Sequence, residues 1–261
     1  MVVTYNEVIF TIDDKTNSLI RMRRSRKSRV SEVFIPHNFP TGERIDYLAE
    51  EFCEDSFDKV IIDEEIRILA NAFQRALVNE VVWPKSDEII PTCCFYNSNV
   101  EKVTNIEHVT RIGAAAFYGS DIEEFVWPSG CFEIPTKCFR FSSLKKLLNI
   151  DHVTKIGPSV FTFCEMDNFV WPSNCLTVPR ECFLGNILTS VTNTGSITAI
   201  ETNAFCLHQD TGREFSIDLS RNAITLIEEG AFAYCNPENI VMPFYMSEND
   251  KKRAFNIISM D

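Results

Sequence analysis

Ten cysteines are the first residues of this 261-residue chain to consider for chemistry, because thiolates bind zinc and act as nucleophiles. A structural zinc site usually takes close pairs such as C-x2-C, with a second pair or with histidines at a defined spacing. Cys93 and Cys94 are adjacent instead, and Cys131 and Cys138 lie seven positions apart. Neither spacing is typical of a zinc site. We therefore expect no metal and no cofactor.

Catalysis by histidine is not indicated either. The four histidines are His37, His108, His152 and His208. His108 and His152 take the same place in two copies of the unit N-I-E/D-H-V-T, whereas a general base belongs to one specific constellation of residues. The chain has no P-loop, no G-x-S-x-G, no H-E-x-x-H and no glycine-rich dinucleotide motif. The sequence therefore predicts no catalytic residue and no enzyme.

A basic segment, RMRRSRKSR at residues 21–29, departs from the acidic character of the chain, whose net charge is −12. Its cations are Arg21, Arg23, Arg24, Arg26, Lys27 and Arg29. The overall charge disfavours binding to nucleic acid or to an anionic membrane over most of the surface. Three interpretations of the segment stay open: a strand that docks on carboxylates of the same chain, a site for an acidic partner, or a nuclear-localisation or nucleic-acid patch.

Phenylalanine gives the chain its period, and a missed period would give the wrong fold. The recurring residues are Phe52, Phe73, Phe95, Phe117, Phe139, Phe161, Phe183, Phe205 and Phe232. Between Phe73 and Phe205 every interval is 22 residues. An aliphatic residue stands five positions before each of them from Phe73 onward. Six consecutive equal intervals indicate a repeat array.

Each repeat also holds a short run of high β-propensity. Seven to ten residues after the phenylalanine come runs such as VVWP, KVTNI and FVWP, each of which indicates one short strand. The compact segment that contains the phenylalanine, for example IGAAAF, is predicted as an irregular, helical or 3-10 turn. One strand and one turn in about 22 residues make the coil of a solenoid, in which stacked neighbours cover each apolar face.

The coils VEKVTNIEHVTRIGAAAF (residues 100–117) and IEEFVWPSGCFEIPTKCF (residues 122–139) resemble those of BspA-like leucine-rich repeat proteins. The resemblance covers roughly residues 45–243, with a less regular coil before them. This chain departs from the family consensus by having Trp or Asn at an aliphatic position, and IP instead of IG in half of its coils. The resemblance implies a parallel-stranded solenoid and a role in binding proteins. Many relatives are surface or secreted adhesins.

Within the 22-residue repeat, the cysteines take the places of small core residues. Three of them precede the phenylalanine of every second coil, where the coils between have alanine or valine: Cys94, Cys138 and Cys182. This alternation predicts a compact apolar filler. Cysteines of one column are two coils apart, about 10 Å at about 4.8 Å per coil, which exceeds the roughly 7 Å limit of a disulfide. We therefore expect ten thiols.

Two nearly identical stretches, FVWPSGCFEIPTKCF and FVWPSNCLTVPRECF, belong to every second coil. At one position tryptophan alternates with asparagine: Trp83, Asn105, Trp127, Asn149, Trp171 and Asn193. Nearer the phenylalanine, proline alternates with glycine over five coils, and Glu201 takes the place of glycine in the sixth. We interpret the resulting 44-residue unit as a packing rule, because six indoles about 4.8 Å apart could not share one column without strain. Asparagines that point inward would need backbone partners.

The candidate partner-binding residues form one row, named here the strand-face row: Val82, Thr104, Val126, Leu148, Val170 and Thr192. They alternate with the inward positions of the strands and are expected to face solvent, although most are apolar. The neighbouring row is Glu80, Lys102, Glu124, Lys146, Asn168 and Ser190, in which opposite charges would lie side by side. Both rows could simply stabilise the sheet. Alternatively, the exposed apolar strip is a partner-binding face.

Three segments are predicted. Residues 1–32 form an N-terminal cap, a β-hairpin in which EVIFTI and SLIRMR flank DDKTN. Residues 33–243 form the leucine-rich-repeat solenoid, and residues 244–261 form a C-terminal capping helix. Both caps close apolar ends that stacked coils would otherwise leave open.

The C-terminal helix is expected to begin at Ser247, an N-cap residue with Asp250 three positions later, and to place Phe255 and Ile258 on one face. The interval before Phe232 is 27 residues, and the polar excess CLHQDTGRE predicts a loop in that coil.

Location follows from the ends of the sequence as given. The stretch MVVTYNEVIFTIDD lacks the basic region and apolar run of a secretory signal, and no run of about 18 apolar residues follows. We therefore expect a cytoplasmic protein, with a surface location or unconventional export as the alternative. The sequence does not specify the oligomeric state, and a monomer is favoured.

The predicted function is a non-enzymatic protein-interaction scaffold that binds a protein partner through the strand face. One alternative is an exported or surface adhesin or effector of the same fold. The other is a binder of an anionic partner or nucleic acid through residues 21–29.

Overall fold

The structure, a computed structural model, describes residues 1–26, 28–208 and 214–256. Lys27 of the basic segment, Ile258 of the C-terminal segment and residues 209–213 of the polar insertion lie outside the described residues. The chain divides into two compact units, Met1–Ile122 and Glu123–Asp261, each built from stacked coils. The division into an N-terminal cap, a solenoid and a C-terminal cap stays a prediction.

The first unit is made of short strands. In chain order they are β1 (Val2–Tyr5), β2 (Val8–Asp13), β3 (Ser18–Arg24), β4 (Glu32–Ile35), β5 (Tyr47–Leu48), β6 (Phe57–Ile62), β7 (Arg67–Ile68), β8 (Val78–Val82), β9 (Ile89–Ile90), β10 (Lys102–Thr104) and β11 (Arg111–Ile112). One sheet has the order β1-β2-β3-β5-β7, a second has the order β10-β8-β6-β4, and β9 pairs with β11.

An antiparallel hairpin begins the first unit. β2 pairs with β1 on one side and with β3 on the other, and β3 then continues parallel to β5. Phe39, from the next coil, packs against Tyr5 and Phe10 with ring centroids 5.7 and 5.3 Å apart. Phe10 and Phe39 are buried, so the hairpin covers the apolar end of the coil that follows it.

The second sheet of this unit is entirely parallel. Its four strands are in register, with Val33 opposite Val60, Val60 opposite Val81, and Val81 opposite Val103. These four valines are buried. Because successive residues of a strand point to opposite faces, the residues on either side of them point outward.

The second unit repeats this plan. Its elements are β12 (Glu124–Val126), β13 (Glu133–Ile134), β14 (Lys146–Leu148), β15 (Lys155–Ile156), β16 (Asn168–Val170), β17 (Thr177–Val178), β18 (Ser190–Thr192), β19 (Ala199–Ile200), β20 (Ile217–Asp218), β21 (Leu226–Ile227), β22 (Ile240–Val241) and α1 (Glu248–Ala254), with 3-10 turns at Thr194–Ser196 and Pro237–Asn239. The strand pairs are parallel: β12 with β14, β13 with β15, β16 with β18, β17 with β19, β19 with β21, and β20 with β22.

Each regular coil therefore has a three-residue strand, a corner, a two-residue strand and a turn. Stacked coils of about 22 residues with parallel strands confirm the predicted solenoid. The two-residue strand is an addition that the sequence analysis did not predict, because pairs such as Glu133–Ile134 are too short to give a periodic signal.

The turn around each phenylalanine has an unusual backbone. In the second unit, residues two positions before Phe139, Phe161 and Phe183 have positive φ, and so do residues two positions after Phe139 and Phe161: Lys137, Phe141, Ser159, Phe163 and Glu181. Left-handed backbone is costly for residues other than glycine. Hydrogen bonds from the turn to the next coil offset this energetic cost, for example the bond from Phe139 N to Val160 O at 3.1 Å.

The phenylalanine rings of successive coils stack on one another in the direction in which the coils themselves are stacked. Phe161 and Phe183, and Phe183 and Phe205, have ring centroids 5.4 Å apart. In the first unit, the rings of Phe73 and Phe95 are 5.2 Å apart. These spacings suit aromatic stacking and are close to the roughly 4.8 Å between paired strands. Backbone pairing and side-chain packing therefore favour the same spacing between coils.

The corner after the three-residue strand explains the alternation of tryptophan and asparagine. The Trp127 side chain is fully buried, and its Nε1 donates to the backbone oxygen of Cys131 at 2.8 Å. Asn149 is exposed, has a φ of 59°, and donates from Nδ2 to the backbone oxygen of Trp127 at 2.8 Å. The same bond joins Asn105 to Trp83 and Asn193 to Trp171.

The packing interpretation of this position therefore needs correction. Indole and amide do not share a core column. The indole fills the core, while the amide lies on the outer side of a left-handed corner, a conformation that asparagine tolerates. The backbone partner that an asparagine would need is supplied by the preceding coil.

Gly113 and Gly157 alternate with prolines because two backbones approach closely. A Cβ atom on Gly157 would be 2.6 Å from the nitrogen of Thr136 and 3.0 Å from the carbonyl carbon of Pro135. A Cβ atom on Gly113 would be 2.7 Å from the carbonyl carbon of Pro91. In these coils the glycine packs against the proline–threonine peptide of the preceding coil.

The C-terminal helix α1 covers the last turn. The hydroxyl of Ser247 accepts a hydrogen bond from the amide of Asp250 at 3.1 Å, which is the expected N-cap. The backbone oxygen of Ala254 accepts from the amide of Phe232 at 2.8 Å, and the ring of Phe255 lies 5.9 Å from that of Phe232. The helix thus takes the place of a further coil.

We predict that Gly157→Ala destabilises the protein by roughly 1 to 3 kcal/mol, because the added methyl group would overlap backbone atoms that move only with a whole coil. Equilibrium urea unfolding measures this change in free energy. Gly195→Ala is the matched control, since nothing lies within 4 Å of a Cβ atom at Gly195. Equal unfolding free energies for the two variants would contradict the close approach.

Candidate partner-binding surface

The strand-face row of the second unit points outward. Val126 is 55% exposed, Leu148 is 42% exposed and Val170 is 56% exposed, and Thr192 is also exposed. Val126 lies directly opposite Leu148, and Val170 lies opposite Thr192. The residues beneath them, Phe125, Leu147, Phe169 and Val191, are buried. Val126, Leu148 and Val170, named here the apolar strip, therefore lie on the outer face of two separate strand pairs, β12 with β14 and β16 with β18, whose inner residues belong to the core.

The same row in the first unit is less exposed. Val82 and Thr104 are half-buried and lie opposite each other. Two residues that the sequence analysis missed continue the row, namely Ile61, opposite Val82, and Phe34, opposite Ile61. Phe34 is 43% exposed. Its coil precedes the regular period, so only the alternation within SEVFI could have indicated it.

The neighbouring polar row makes contacts along the sheet. In the first unit, Lys59 Nζ lies 3.2 Å from Glu80 Oε1, and the hydroxyl of Thr104 donates to that oxygen at 3.3 Å. In the second unit, Glu124 is in register with Lys146, and Ser190 Oγ lies 2.7 Å from Asn168 Oδ1. Such pairs each contribute roughly 0.2 to 1 kcal/mol. This row therefore stabilises the sheet and borders the apolar strip.

Further exposed apolar residues lie away from the strand face. Phe132 and Leu176 are each 57% exposed and precede the two-residue strands. Phe141 and Phe163, in the turns, stack with ring centroids 5.1 Å apart. The sequence analysis missed all four, because the second strand and the left-handed turn that present them were not predicted.

The basic segment is partly engaged by its own chain. Arg21 Nε lies 2.8 Å from Glu54 Oε1. The amide of Arg24 donates to Asp55, its guanidinium donates to the backbone oxygen of Ser56, and the guanidinium carbon lies 5.1 Å from the ring centre of Phe57. These contacts favour docking on a carboxylate of the same chain for Arg21, whereas the Arg24 guanidinium is held by a backbone oxygen and an aromatic ring.

The remaining described cations, Arg23, Arg26 and Arg29, are exposed. Lys27 lies outside the described residues. A role for these cations in binding an acidic partner or nucleic acid stays a prediction.

All ten cysteines are thiols, and eight of them are buried. Burial raises the pKa of Cys164 to about 12 and the pKa of Cys175 to about 11. Cys53 is half-buried, and burial followed by the nearby Asp55 carboxylate raises its pKa to about 12. Cys93 is the other half-buried thiol, and its pKa is raised by burial as well. Nucleophilic chemistry needs the thiolate, which these environments disfavour.

Among residues 1–26, 28–208 and 214–256, no three histidine, cysteine, aspartate or glutamate side chains are grouped so that they could hold a metal ion. In the same part of the chain, no helix has the length and apolar character needed to cross a membrane.

Stacked coils of about 22 residues, with parallel strands and a continuous phenylalanine core in each unit, define a solenoid of the leucine-rich repeat class. The sequence matches a model of the family described as "BspA type Leucine rich repeat region (6 copies)", over residues 66–188 and 133–257. The chain belongs to this family. Membership indicates a protein-interaction or surface scaffold role.

Two crystal structures are similar to this chain. A leucine-rich repeat protein from Bacteroides ovatus is 17% identical over 85% of this chain, with a TM-score of 0.59, and the match covers 57% of the Bacteroides protein. A leucine rich cell surface protein from Faecalibacterium prausnitzii is 16% identical, with a TM-score of 0.44, over 100% of this chain and 99% of that protein. No curated protein matches the sequence. At 17% identity, the Bacteroides structure supports the fold alone.

We predict that all ten cysteines are alkylated in denaturant without prior reduction, because all are thiols. In the native protein, Cys93 should react well before Cys164, since it is less buried and Cys164 has a pKa of about 12. Mass spectrometry after timed iodoacetamide treatment measures both. Cysteines that stay unreactive in denaturant until a reductant is added would reveal disulfides and contradict the thiol assignment.

Proposed function

We propose that this protein is a non-enzymatic scaffold that binds a protein partner through the strand-face row of its second unit. The observation that carries the proposal is the exposure of three apolar residues at the same position of successive coils, Val126, Leu148 and Val170, on strands whose inner residues are buried. Val126 and Leu148 lie side by side on paired strands, and exposed apolar surface of this kind is typical of an interaction site.

The rigidity of the strip supports this role. Each of its residues lies on a strand that is paired in register with a neighbour, so the backbone that carries the side chains is already ordered before a partner binds. Ordering that is complete before association removes part of the entropic cost of binding.

The chemistry of the strip also indicates what kind of surface the partner should have. Apolar residues form its centre, and Glu124, Lys146 and Asn168 border it along one side. An interface with an apolar centre and a polar rim is typical of proteins that associate reversibly. We infer a partner with a narrow apolar ridge flanked by groups of both charges.

The experiment compares two double variants as bait for proteins from the native source. Val126→Glu with Val170→Glu places carboxylates on the strand face, where a docked partner would have to bury them. We expect capture of a specific partner, identified and quantified by mass spectrometry, to fall by at least about tenfold. Circular dichroism should show an intact fold, because both side chains point away from the core.

Phe132→Glu with Leu176→Glu is the matched control. These residues are as exposed and as apolar as the valines, but they lie beside the two-residue strands. The control variant should capture the partner as well as the unmodified chain does. If the strand-face variant captures the partner equally well, the strip is not the binding surface.

A cytoplasmic location is part of the same proposal. Thiols without disulfides are typical of a reducing compartment, and all ten cysteines are thiols. The alternative is a surface adhesin or effector of the same fold. Protein isolated from its source with every cysteine alkylated in the absence of reductant would support the cytoplasmic location.

A further inference from the structure

Strand β4 is the edge of the parallel sheet of the first unit. It pairs with β6 on one side, and the sheet order β10-β8-β6-β4 gives it no strand on the other. In a parallel pair, alternate residues of a strand direct both of their backbone groups to the same neighbour. The backbone oxygens of Ser31 and Ile35 accept from the amides of Lys59 and Asp63, at 3.2 and 3.0 Å, so the odd-numbered residues face β6.

Glu32 and Phe34 therefore direct their amide and carbonyl groups to the open side of β4. Within the described part of the chain, no residue forms a backbone hydrogen bond with either of them on that side. Glu32 is exposed, and Phe34 is 43% exposed. An edge strand with two unpaired donors, two unpaired acceptors and an exposed aromatic ring is a template for a further strand.

We propose that β4 pairs antiparallel with β4 of a second copy of this chain, which makes a symmetric dimer in place of the monomer that the sequence analysis favours. With Val33 opposite Val33 of the partner subunit, each outward group of Glu32 meets an outward group of Phe34 across the dyad. Four backbone hydrogen bonds result, and both strands use the same residues. Such self-complementarity is what a twofold interface requires.

The side chains fit this register. Glu32 is directly opposite Phe34 across the dyad, and the two Glu32 side chains, like the two Phe34 rings, are diagonal neighbours and not direct ones. The two Phe34 rings are diagonal neighbours at a distance that aromatic side chains can span. Their contact would remove from water the apolar surface that a single copy exposes.

The charges at the two ends of β4 also favour an antiparallel second copy. Exposed Arg29 lies three residues before the strand, whereas Asp63 and Glu65 lie at the other end, where Asp63 donates its amide to Ile35. Glu65 is 69% exposed and its carboxylate lies 2.6 Å from His37 Nδ1. An antiparallel partner brings Arg29 of each copy toward Asp63 and Glu65 of the other, while the exposed carboxylates of Glu32 and Asp58 lie at the same end as Arg29. A strand added in parallel from another copy would place like ends together.

The test uses proline to remove one outward donor. Glu32→Pro deletes an amide that faces away from β6, so the β4–β6 ladder keeps its hydrogen bonds. Glu32→Ala is the matched control, because it removes the same side chain and keeps the amide. Sedimentation equilibrium of the full chain over a wide range of concentration measures the mass, which is 29.9 kDa for one copy.

We expect the unmodified chain and Glu32→Ala to reach twice the single-chain mass, with the dimer dissociation constant of Glu32→Pro raised at least about tenfold. Thermal unfolding followed by circular dichroism checks that Glu32→Pro is folded. An unmodified chain that stays at 29.9 kDa at every concentration overturns the proposal. This holds even if β4 then receives a strand from another protein. So does a Glu32→Pro variant that dimerises like the unmodified chain.

A charge exchange provides a second measurement that does not depend on proline. Arg29→Glu and Glu65→Arg should each weaken the dimer, since each places like charges across the interface. The variant with both changes should regain most of the lost affinity. If the double variant is weaker than either single variant, the two ends of β4 do not meet in the dimer and the antiparallel register is wrong.

Discussion

Hydrogen bonds between the turns of successive coils are the constraint on which the rest of the structure depends. In the second unit, the amides of Phe139, Phe161 and Phe183 each donate to a backbone oxygen of the next coil at 2.8 to 3.1 Å. The left-handed residues beside these phenylalanines turn the peptide groups so that the turn bonds along the stack as a parallel strand does. The turns and strands therefore share one spacing, and the other residues of each coil must fit it.

The 44-residue period is a consequence of that spacing. Coils held this close leave no room for a side chain where Gly157 meets the Pro135–Thr136 peptide, so the coils after Pro91 and Pro135 have glycine at this position, whereas the coil after Pro179 has Glu201. At the corner, the indole of Trp127 fills the core, and Asn149 of the next coil binds the tryptophan's backbone oxygen from outside. Neighbouring coils are therefore unlike because each completes the other.

Structural features that depend on side-chain type can be predicted from the sequence. Backbone conformations that the stacking of coils imposes cannot. The phenylalanine interval identifies the coil, and strand alternation places Val126 and Val170 outside, because burial and period two leave a direct record in residue type. The left-handed positions leave none. Lys137 and Glu181 share this backbone conformation without being residues that favour it, since hydrogen bonds to the next coil impose it. The exposed Phe34 lies in an irregular coil, where no period could reveal it.

Residue-resolved hydrogen exchange at the amides of Phe139, Phe161 and Phe183 tests the central claim most directly. The account predicts that these turn amides exchange as slowly as those of the paired strands β12 and β14, because each is bonded to the next coil and lies beside a buried ring. Rapid exchange at the three turn amides, with the strands still protected, would contradict it. The coils would then be joined by their strands alone.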